Sequence, residues 1–579
     1  MTAWMREHKG MSRGYCFVAA AGGVGALVAM ACGCGDLGAG GTGEVVVAPE
    51  RTRQVKVVNP DALPSAGAAA TQPFVLSTTQ PTTQLSERAV TLAEVRRWAI
   101  ENNLQLKVDL LDPTVARQAV SEEQARFEAT FTTDVRFGTT DTPFFATDPN
   151  GDRFIRASGT DFVTVIPGFQ IPLVTGGTIG LSLPVNRLEN SIGRIDPATG
   201  LPQSSLEWSS DFTLTFSQPL LRRAGTEATL AGIRIAFYRY QQVEARTKLR
   251  VITVLADADR QYWRLDAAIK LLRVQKQRYD SADEQLRRLR RRLDVGAGVE
   301  ADVLQAEAAV ADAASAIVAA ESAVRFELRE LKRIINVPDL DLNSPVLLRP
   351  ATEARFLAAR LDADALADRA VRDRMEILEA ELRLLQEAAN VRLARNDLLP
   401  LLDVQYRYNA NGLGERSGEA FDLLADNDFA DHSFGLRLEV PLGNQAARSR
   451  LRRALAQRQQ ALSDRALREQ TVRAEVFQSV ANLEQTWQAI LAARQRVFAE
   501  SRVVESEIRK FERGESDAED VRIARDRLTQ AQEQEVRAVR DYQISQVDVA
   551  AATGTLLGAA DVQWLPIEVD GSRRDRPAP

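Results

Sequence analysis

Four short stretches of the chain alternate apolar and polar residues with a period of two. Phe131, Thr133, Val135 and Phe137 interleave with Thr130, Thr132, Asp134 and Arg136. Phe212, Leu214 and Phe216 interleave with Asp211, Thr213, Thr215 and Ser217. Leu402, Val404, Tyr406 and Tyr408 interleave with Asp403, Gln405, Arg407 and Asn409, and Phe434, Leu436, Leu438 and Val440 with Ser433, Gly435, Arg437 and Glu439. Such alternation predicts strands with one apolar and one wet face, as in a membrane barrel or a half-buried sheet. Ile179, Leu181, Leu183 and Val185 alternate too, within the long stretch 138–208, and suggest an extra extracellular hairpin.

A second periodicity, of seven, runs through the rest. Val303, Val310, Ile317, Val324 and Leu331 form one stripe, with Ala306, Ala313 and Ala320 between them. The same stripes return 218 positions later as Val521, Leu528, Glu535, Tyr542 and Val549, with Ala524, Ala531 and Ala538. A heptad repeat makes helices pack as left-handed coiled coils, and alanine lets them approach closely. Each stripe follows a Gly-containing turn, Gly296-Ala297-Gly298-Val299-Glu300 or Gly514-Glu515-Ser516-Asp517. Before each turn lies a stretch with almost no helix breaker. Thr226–Asp294 has no Pro and one Gly, and Ala446–Arg513 has neither. At 1.5 Å per residue, each helix would reach about 100 Å. The chain thus reads as two repeats of helix, strand, loop, strand, very long helix, turn and long helix.

The N-terminus is an address. Arg6, Lys9 and Arg13 precede an uncharged run, Gly14 to Gly35, that is short and rich in Gly and Ala. This is the pattern of a secretory signal. Ala29-Met30-Ala31-Cys32 is a weak lipobox, so Cys32 is the candidate for lipidation, with Cys34 as the fallback. Boundaries follow: signal 1–35, flexible tether 36–88, first repeat 89–345, connecting segment 346–362, second repeat 363–557 and C-terminal tail 558–579. No stretch after the tether has 18 consecutive apolar residues, so any membrane part must be a barrel or a lipid. Four strands cannot close a barrel by themselves, so several chains would have to share one.

Composition removes other classes. With 73 Lys plus Arg against 79 Asp plus Glu, the net charge of -6 gives no bulk basicity for nucleic acid. The three Cys all lie near the N-terminus and the two His are His8 and His432. No metal cluster, nucleophile triad, phosphate loop or cofactor motif is legible, and an enzyme is not expected. His432 reads as structural or solvated. The run Arg287, Arg288, Arg290, Arg291, Arg292 reads as a solvated helix face or a contact for an acidic partner surface.

Residues 90–557 resemble the TolC-type outer membrane efflux family. Thr91-Leu92-Ala93-Glu94 through Asn102-Asn103-Leu104 is similar to the family's opening helix. Phe216-Ser217-Gln218-Pro219-Leu220-Leu221, Leu399-Pro400-Leu401-Leu402, Val440-Pro441-Leu442-Gly443 and the segment from Asp541-Tyr542-Gln543-Ile544 to Gly554-Thr555-Leu556-Leu557 follow in the family's order. The resemblance implies a mainly α fold with a small β part: a long helical barrel in the periplasm and a transmembrane β-barrel shared by a trimer, with four strands per chain. It implies an outer membrane export channel for small molecules or proteins, working with a periplasmic adaptor and an inner-membrane pump. The tips, Gly296 to Glu300 and Gly514 to Asp517, would contact the adaptor. Asp520 matches the family's acidic residue at the periplasmic constriction, and Asp302 stands at the equivalent place in the first repeat. The second acidic position is Ile523 here, and Phe511 and Ser516 stand where the family's locking aromatic and basic residues do. A periplasmic adaptor, or a lipoprotein coiled-coil scaffold without a pore, are the alternatives.

Overall fold

The computed structural model describes residues 86–147, 151–195, 202–296, 298–356 and 361–560. The signal, Cys32, almost all of the tether, Ala297 and nearly all of the C-terminal tail lie outside these residues.

β1 (Ser86–Val90) leads into α1 (Leu92–Asn102), α2 (Leu104–Asp109) and α3 (Asp112–Ala125). Thr91 caps α1 because its hydroxyl accepts from the Glu94 amide while the Glu94 carboxylate accepts from the Thr91 amide at 2.8 Å. Five strands follow: β2 (Thr130–Thr147), β3 (Arg153–Pro172), β4 (Thr178–Ser182), β5 (Val185–Ile195) and β6 (Pro202–Pro219). Then come the short α4 (Gly225–Thr229) and the 64-residue α5 (Ala231–Asp294), which turns back into α6 (Glu300–Ile335). The second half runs β7 (Val346–Pro350), α7 (Ala363–Asp373), α8 (Met375–Asn396), β8 (Leu401–Gly414), α9 (Ser417–Asp426) and β9 (Ala430–Glu439). The 68-residue α10 (Gln445–Glu512), α11 (Ala518–Ala552) and α12 (Leu556–Ala559) complete it.

The helical part consists of two antiparallel hairpins, α5 with α6 and α10 with α11, and α5 also packs along α11. Both heptad stripes face inward. Val303, Ala306, Ala313, Val324 and Leu331 are buried on α6, and Val521, Ala524, Ala531 and Tyr542 on α11. By length and composition α6 is apolar enough to cross a membrane, yet only 22% of its most apolar window is buried within the chain. Its Ala-rich back is therefore an open surface.

The main core gathers where β1, β7, α1, α5 and α6 meet, around Val90, Val95, Tyr262, Leu265, Leu331 and Ile335. β7 runs parallel to β1. It lies in the stretch read from sequence as a mere connection, and β1 opens within the last residues of the stretch read as a tether. Tyr262 ties this small sheet to α5: its hydroxyl donates to the Val90 carbonyl and accepts from the Thr352 amide at 2.8 Å. Beside it, Asp259 is fully buried and takes a bidentate pair of hydrogen bonds from Arg96 at 2.8 and 2.7 Å.

The other sheet contains more strands than the four alternating segments. Its order is β2-β3-β4-β6-β8-β9, with β5 also lying between β3 and β6. The four segments sit on β2, β6, β8 and β9, and β3, β4 and β5 belong to the same sheet. β3 and β5 escaped the sequence reading because their apolar residues are interrupted by glycines, prolines and charges, as in Gly159, Asp161, Pro167 and Arg187. α9 folds back over one end of the sheet, where Ala420 lies against Gly412 and Gly414. His432 is on β9, its Nδ1 at 2.9 Å from the Tyr406 hydroxyl, in agreement with a structural role.

Burial pushes the Asp259 carboxyl above its ordinary pKa, and Arg96 opposes the shift. Arg96→Met leaves this carboxylate buried and unpaired, at an expected cost of about 3–5 kcal/mol. A denaturant titration in detergent at neutral pH checks the loss. Because the folded-state pKa is raised, the penalty belongs to the ionised form. It is expected to shrink as the pH falls through that pKa and Asp259 protonates.

Candidate functional site: the paired helix tips

Both hairpins turn at the end of the molecule remote from the sheet strands, and the two turns lie side by side. The α10–α11 turn is a Schellman motif. Glu515 N–H donates to the Lys510 carbonyl at 2.9 Å and Gly514 N–H to the Phe511 carbonyl at 3.1 Å. Gly514 has φ +78°, which a residue with a Cβ adopts only under strain. At the α5–α6 turn Gly296 likewise has a positive φ, +73°, and donates to the Leu293 carbonyl at 2.9 Å. Gly298 serves a different purpose, since a Cβ there would lie 2.8 Å from the Leu293 amide nitrogen.

The two tips then diverge. Asp517 caps α11, accepting from the Asp520 amide at 3.0 Å. Val299 occupies the corresponding place before α6 and offers no side-chain cap. Asp520 is exposed. The Ser516 hydroxyl lies 3.1 Å from both Asp520 Oδ2 and Glu507 Oε2, so its single proton can serve only one carboxylate at a time. Lys510 Nζ donates to Glu507 at 2.7 Å. That bond holds the Glu507 carboxyl below its usual pKa and the Lys510 ammonium above its own. Asp302, by contrast, is half-buried and lines a cleft of about 540 Å³ between the two hairpins. The residues paired in the sequence repeat thus meet different surroundings: Asp520 faces solvent and Asp302 faces the other hairpin.

Polar contacts clamp the hairpins together beside this cleft. Arg278 pairs with Asp526 at 3.1 Å, and Arg525 donates to the Ser281 carbonyl at 3.1 Å. Burial, reinforced by the neighbouring Arg288, lowers the Arg525 pKa. The Arg292 guanidinium stacks over the Phe511 ring at 4.9 Å, a cation–π contact that joins α5 to α10. Phe511 also packs on the cluster of Leu286, Leu289, Val303 and Ala306. Most of the arginine run is paired within the helices: Arg287 with Asp283, Arg288 with Glu284 and Arg290 with Glu307. Sequence reasoning marked Gly296, Gly298, Val299, Glu300, Gly514, Glu515, Ser516 and Asp517, and the structure brings these to one end. It missed Glu507, Lys510, Arg278 and Asp526. The first two sit only a helical turn or so before the marked glycine, a spacing visible in sequence. The Arg278–Asp526 pair spans the two repeats and leaves no local signal.

A sheet mounted on two long helical hairpins is the fold of outer membrane channels. The chain resembles the Campylobacter jejuni CmeC outer membrane channel with a TM-score of 0.58 at 16% identity, covering 80% of this chain and 85% of that one. It resembles the outer membrane protein VceC of Vibrio cholerae with a TM-score of 0.55 at 14% identity, covering 80% and 96%. The sequence pattern of the outer membrane efflux protein family matches residues 179–337 and 366–555, more than half of the chain. The protein therefore belongs to the outer membrane efflux protein family. The outer membrane efflux protein BepC of Brucella suis is 26% identical over 298 residues, which are 49% of this chain and 60% of that relative.

Nothing lies within 4 Å of the Cβ that Gly514 would carry, so Gly514→Ala tests backbone strain without a clash. The expected cost is about 1–2 kcal/mol, localised to the tip. Hydrogen–deuterium exchange should quicken around residues 507–520 and stay unchanged in β8 and β9.

Proposed function

We propose that the protein is a passive trimeric conduit in the bacterial outer membrane, its helical hairpins in the periplasm, rather than an enzyme. The observation that carries this reading is the sheet. Phe434, Leu436 and Leu438 are 75%, 64% and 63% exposed on β9, on the same side as Phe131, Val135 and Phe137 of β2. Apolar side chains so open to solvent on both edges of a sheet suit a lipid boundary. The opposite side, with Asp134, Arg136, Arg407 and Arg437, suits a water-filled lumen. The segments 89–345 and 363–557 act as the two repeats of each wall sector, and the Ala-rich back of α6 packs on a neighbouring copy. A lipidated Cys32 adds an anchor in the same membrane.

In this reading the conduit receives its cargo, small molecules or proteins, from an inner-membrane pump through a periplasmic adaptor. The adaptor seats on the two turns, Gly296 to Glu300 and Gly514 to Asp517. Three copies of Asp520 form an acidic ring at the periplasmic constriction, which favours cations and is blocked by multivalent ones. The exposure of Asp520 supports this role. Asp302 is the equivalent residue of the first repeat and contributes a second acidic position to the constriction from the cleft between the hairpins.

The conduit is tested by the native mass of the Cys32→Ala variant extracted from outer membranes. A trimer that still requires detergent is expected; a water-soluble product would favour a scaffold without a pore. In planar bilayers, Asp520→Asn is expected to weaken block by divalent and trivalent cations across a concentration series. Unchanged block would remove Asp520 from the constriction.

A further inference from the structure

The strands that sequence reading assigned to an external hairpin belong to the same sheet as the other four. β4 and β5 continue one strand. The pairing of β4 with β3 joins Gly168 to Ser182, that of β5 with β3 joins Val165 to Val185, and the same steps appear on the β6 side at Thr213 and Ser210. The register is unbroken across the gap at Leu183 and Pro184. The interruption has a local cause, since proline has no N–H to give to the ladder. Even there the neighbours stay joined: Leu183 donates to the Pro167 carbonyl and Asp211 to the Pro184 carbonyl, both at 2.9 Å.

The faces continue as well through β4 as far as Val185, beyond which the Arg187–Glu189 ion pair of β5 occupies the apolar side. One row of cross-strand partners reads Ile171, Ile179, Phe216, Tyr406, Phe434 from β3 to β9. Another reads Phe131, Phe169, Leu181, Leu214, Tyr408 from β2 to β8. Between them lies a wet row, Thr130, Gln170, Gly180, Thr215, Arg407, Ser433. β3 and β4 therefore carry the same apolar side and the same polar side as the four strands already assigned to the barrel. A hairpin standing free in water would have no need of an apolar face, and Phe169 is 50% exposed on it.

The turn between β3 and β4 fixes the height of the pair. Thr175 accepts from the Gly225 amide at 2.9 Å, at the junction of β6 with the helices. Gly176 has φ +93°, and a Cβ there would lie 2.4 Å from the Arg223 carbonyl oxygen. These strands thus descend to the level where β6 hands over to α5. From Val163 to Ile171 there are nine residues, the lower end of the roughly 9–11 that a tilted strand needs to cross a bilayer.

We propose that β3 and the β4–β5 strand lie in the bilayer, so that each chain supplies six transmembrane strands and a ring of three copies closes with eighteen. The proposal rests on the conduit reading above. Six is an even number, so β9 and β2 run in opposite directions and adjoining copies meet edge to edge as antiparallel neighbours. Barrel diameter grows roughly in proportion to strand number, so the bore is about one and a half times that of a twelve-stranded ring. The extra strands widen the outer opening while the helical tips remain the narrow end.

Site-specific quenching by lipid tests it. In full-length protein with Cys16, Cys32 and Cys34 changed to Ser, single variants Val165→Cys, Leu181→Cys, Leu436→Cys and Thr215→Cys are labelled with bimane. Each is reconstituted, as the same oligomer, in phosphatidylcholine vesicles with brominated acyl chains. Labels at 165 and 181 are expected to lose most of their fluorescence, as does the label at 436, while the label at 215 keeps most of its own. Quenching at both 165 and 181 no stronger than at 215 overturns the proposal. If 436 is quenched in that case, the conduit stands with four strands per chain; if 436 is unquenched too, the conduit itself falls.

Discussion

The edges of the sheet set the terms for the rest of the molecule. Among the described residues, β2 and β9 are each paired on one side only. An unpaired strand edge costs several kcal/mol per backbone group in hydrocarbon, and an open apolar face is unfavourable in water. A single copy of this sheet is therefore stable in neither medium. Closing it against further copies satisfies the edges and gives each face its own solvent.

The hairpins solve the related problem of making a long wall from thin elements. A seven-residue stripe of valine, leucine and alanine keeps α6 against α5 and α11 against α10 over many turns, because the repeat follows the supercoil. Buried charge is used sparingly within this wall. Arg96 and Asp259 fix α1 to α5 at the height of the main core, where the small β1–β7 sheet also grips Tyr262. That girdle gives the long helices one well-packed level, while most of their surface remains open for neighbouring copies.

At the far end the packing is lighter and more polar. Left-handed glycines close both turns, and the Arg292–Phe511, Arg278–Asp526 and Arg525–Ser281 contacts hold the hairpins to one another. These are one cation–π contact, one part-buried ion pair and one hydrogen bond to a backbone carbonyl. The apolar cluster of Leu286, Leu289, Val303 and Ala306, with Phe511 against it, packs beside these polar contacts. Ser516 lies between two carboxylates, so any cation or partner group that takes up Asp520 also redistributes that hydroxyl's single hydrogen bond.

What the sequence determined by itself was whatever repeats over short range. The heptad stripes, the breaker-free helices, the glycine turns and the four clean strands were legible because a period of two or seven is a local property that backbone geometry imposes on side chains. The family resemblance rested on short motifs in the opening helix, at strand ends and in the segment Asp541 to Leu557. The tertiary structure alone decided what depends on partners far apart in the chain. It joined β1 to β7 and Arg278 to Asp526, and it gave Asp302 and Asp520 different surroundings although the repeat makes them equivalent. It also placed β3, β4 and β5 in the sheet. The alternation of β4 was legible from Ile179 to Val185, but that of β3 is broken by Gly159 and Pro167, and the register with β2 supplies what its sequence blurs.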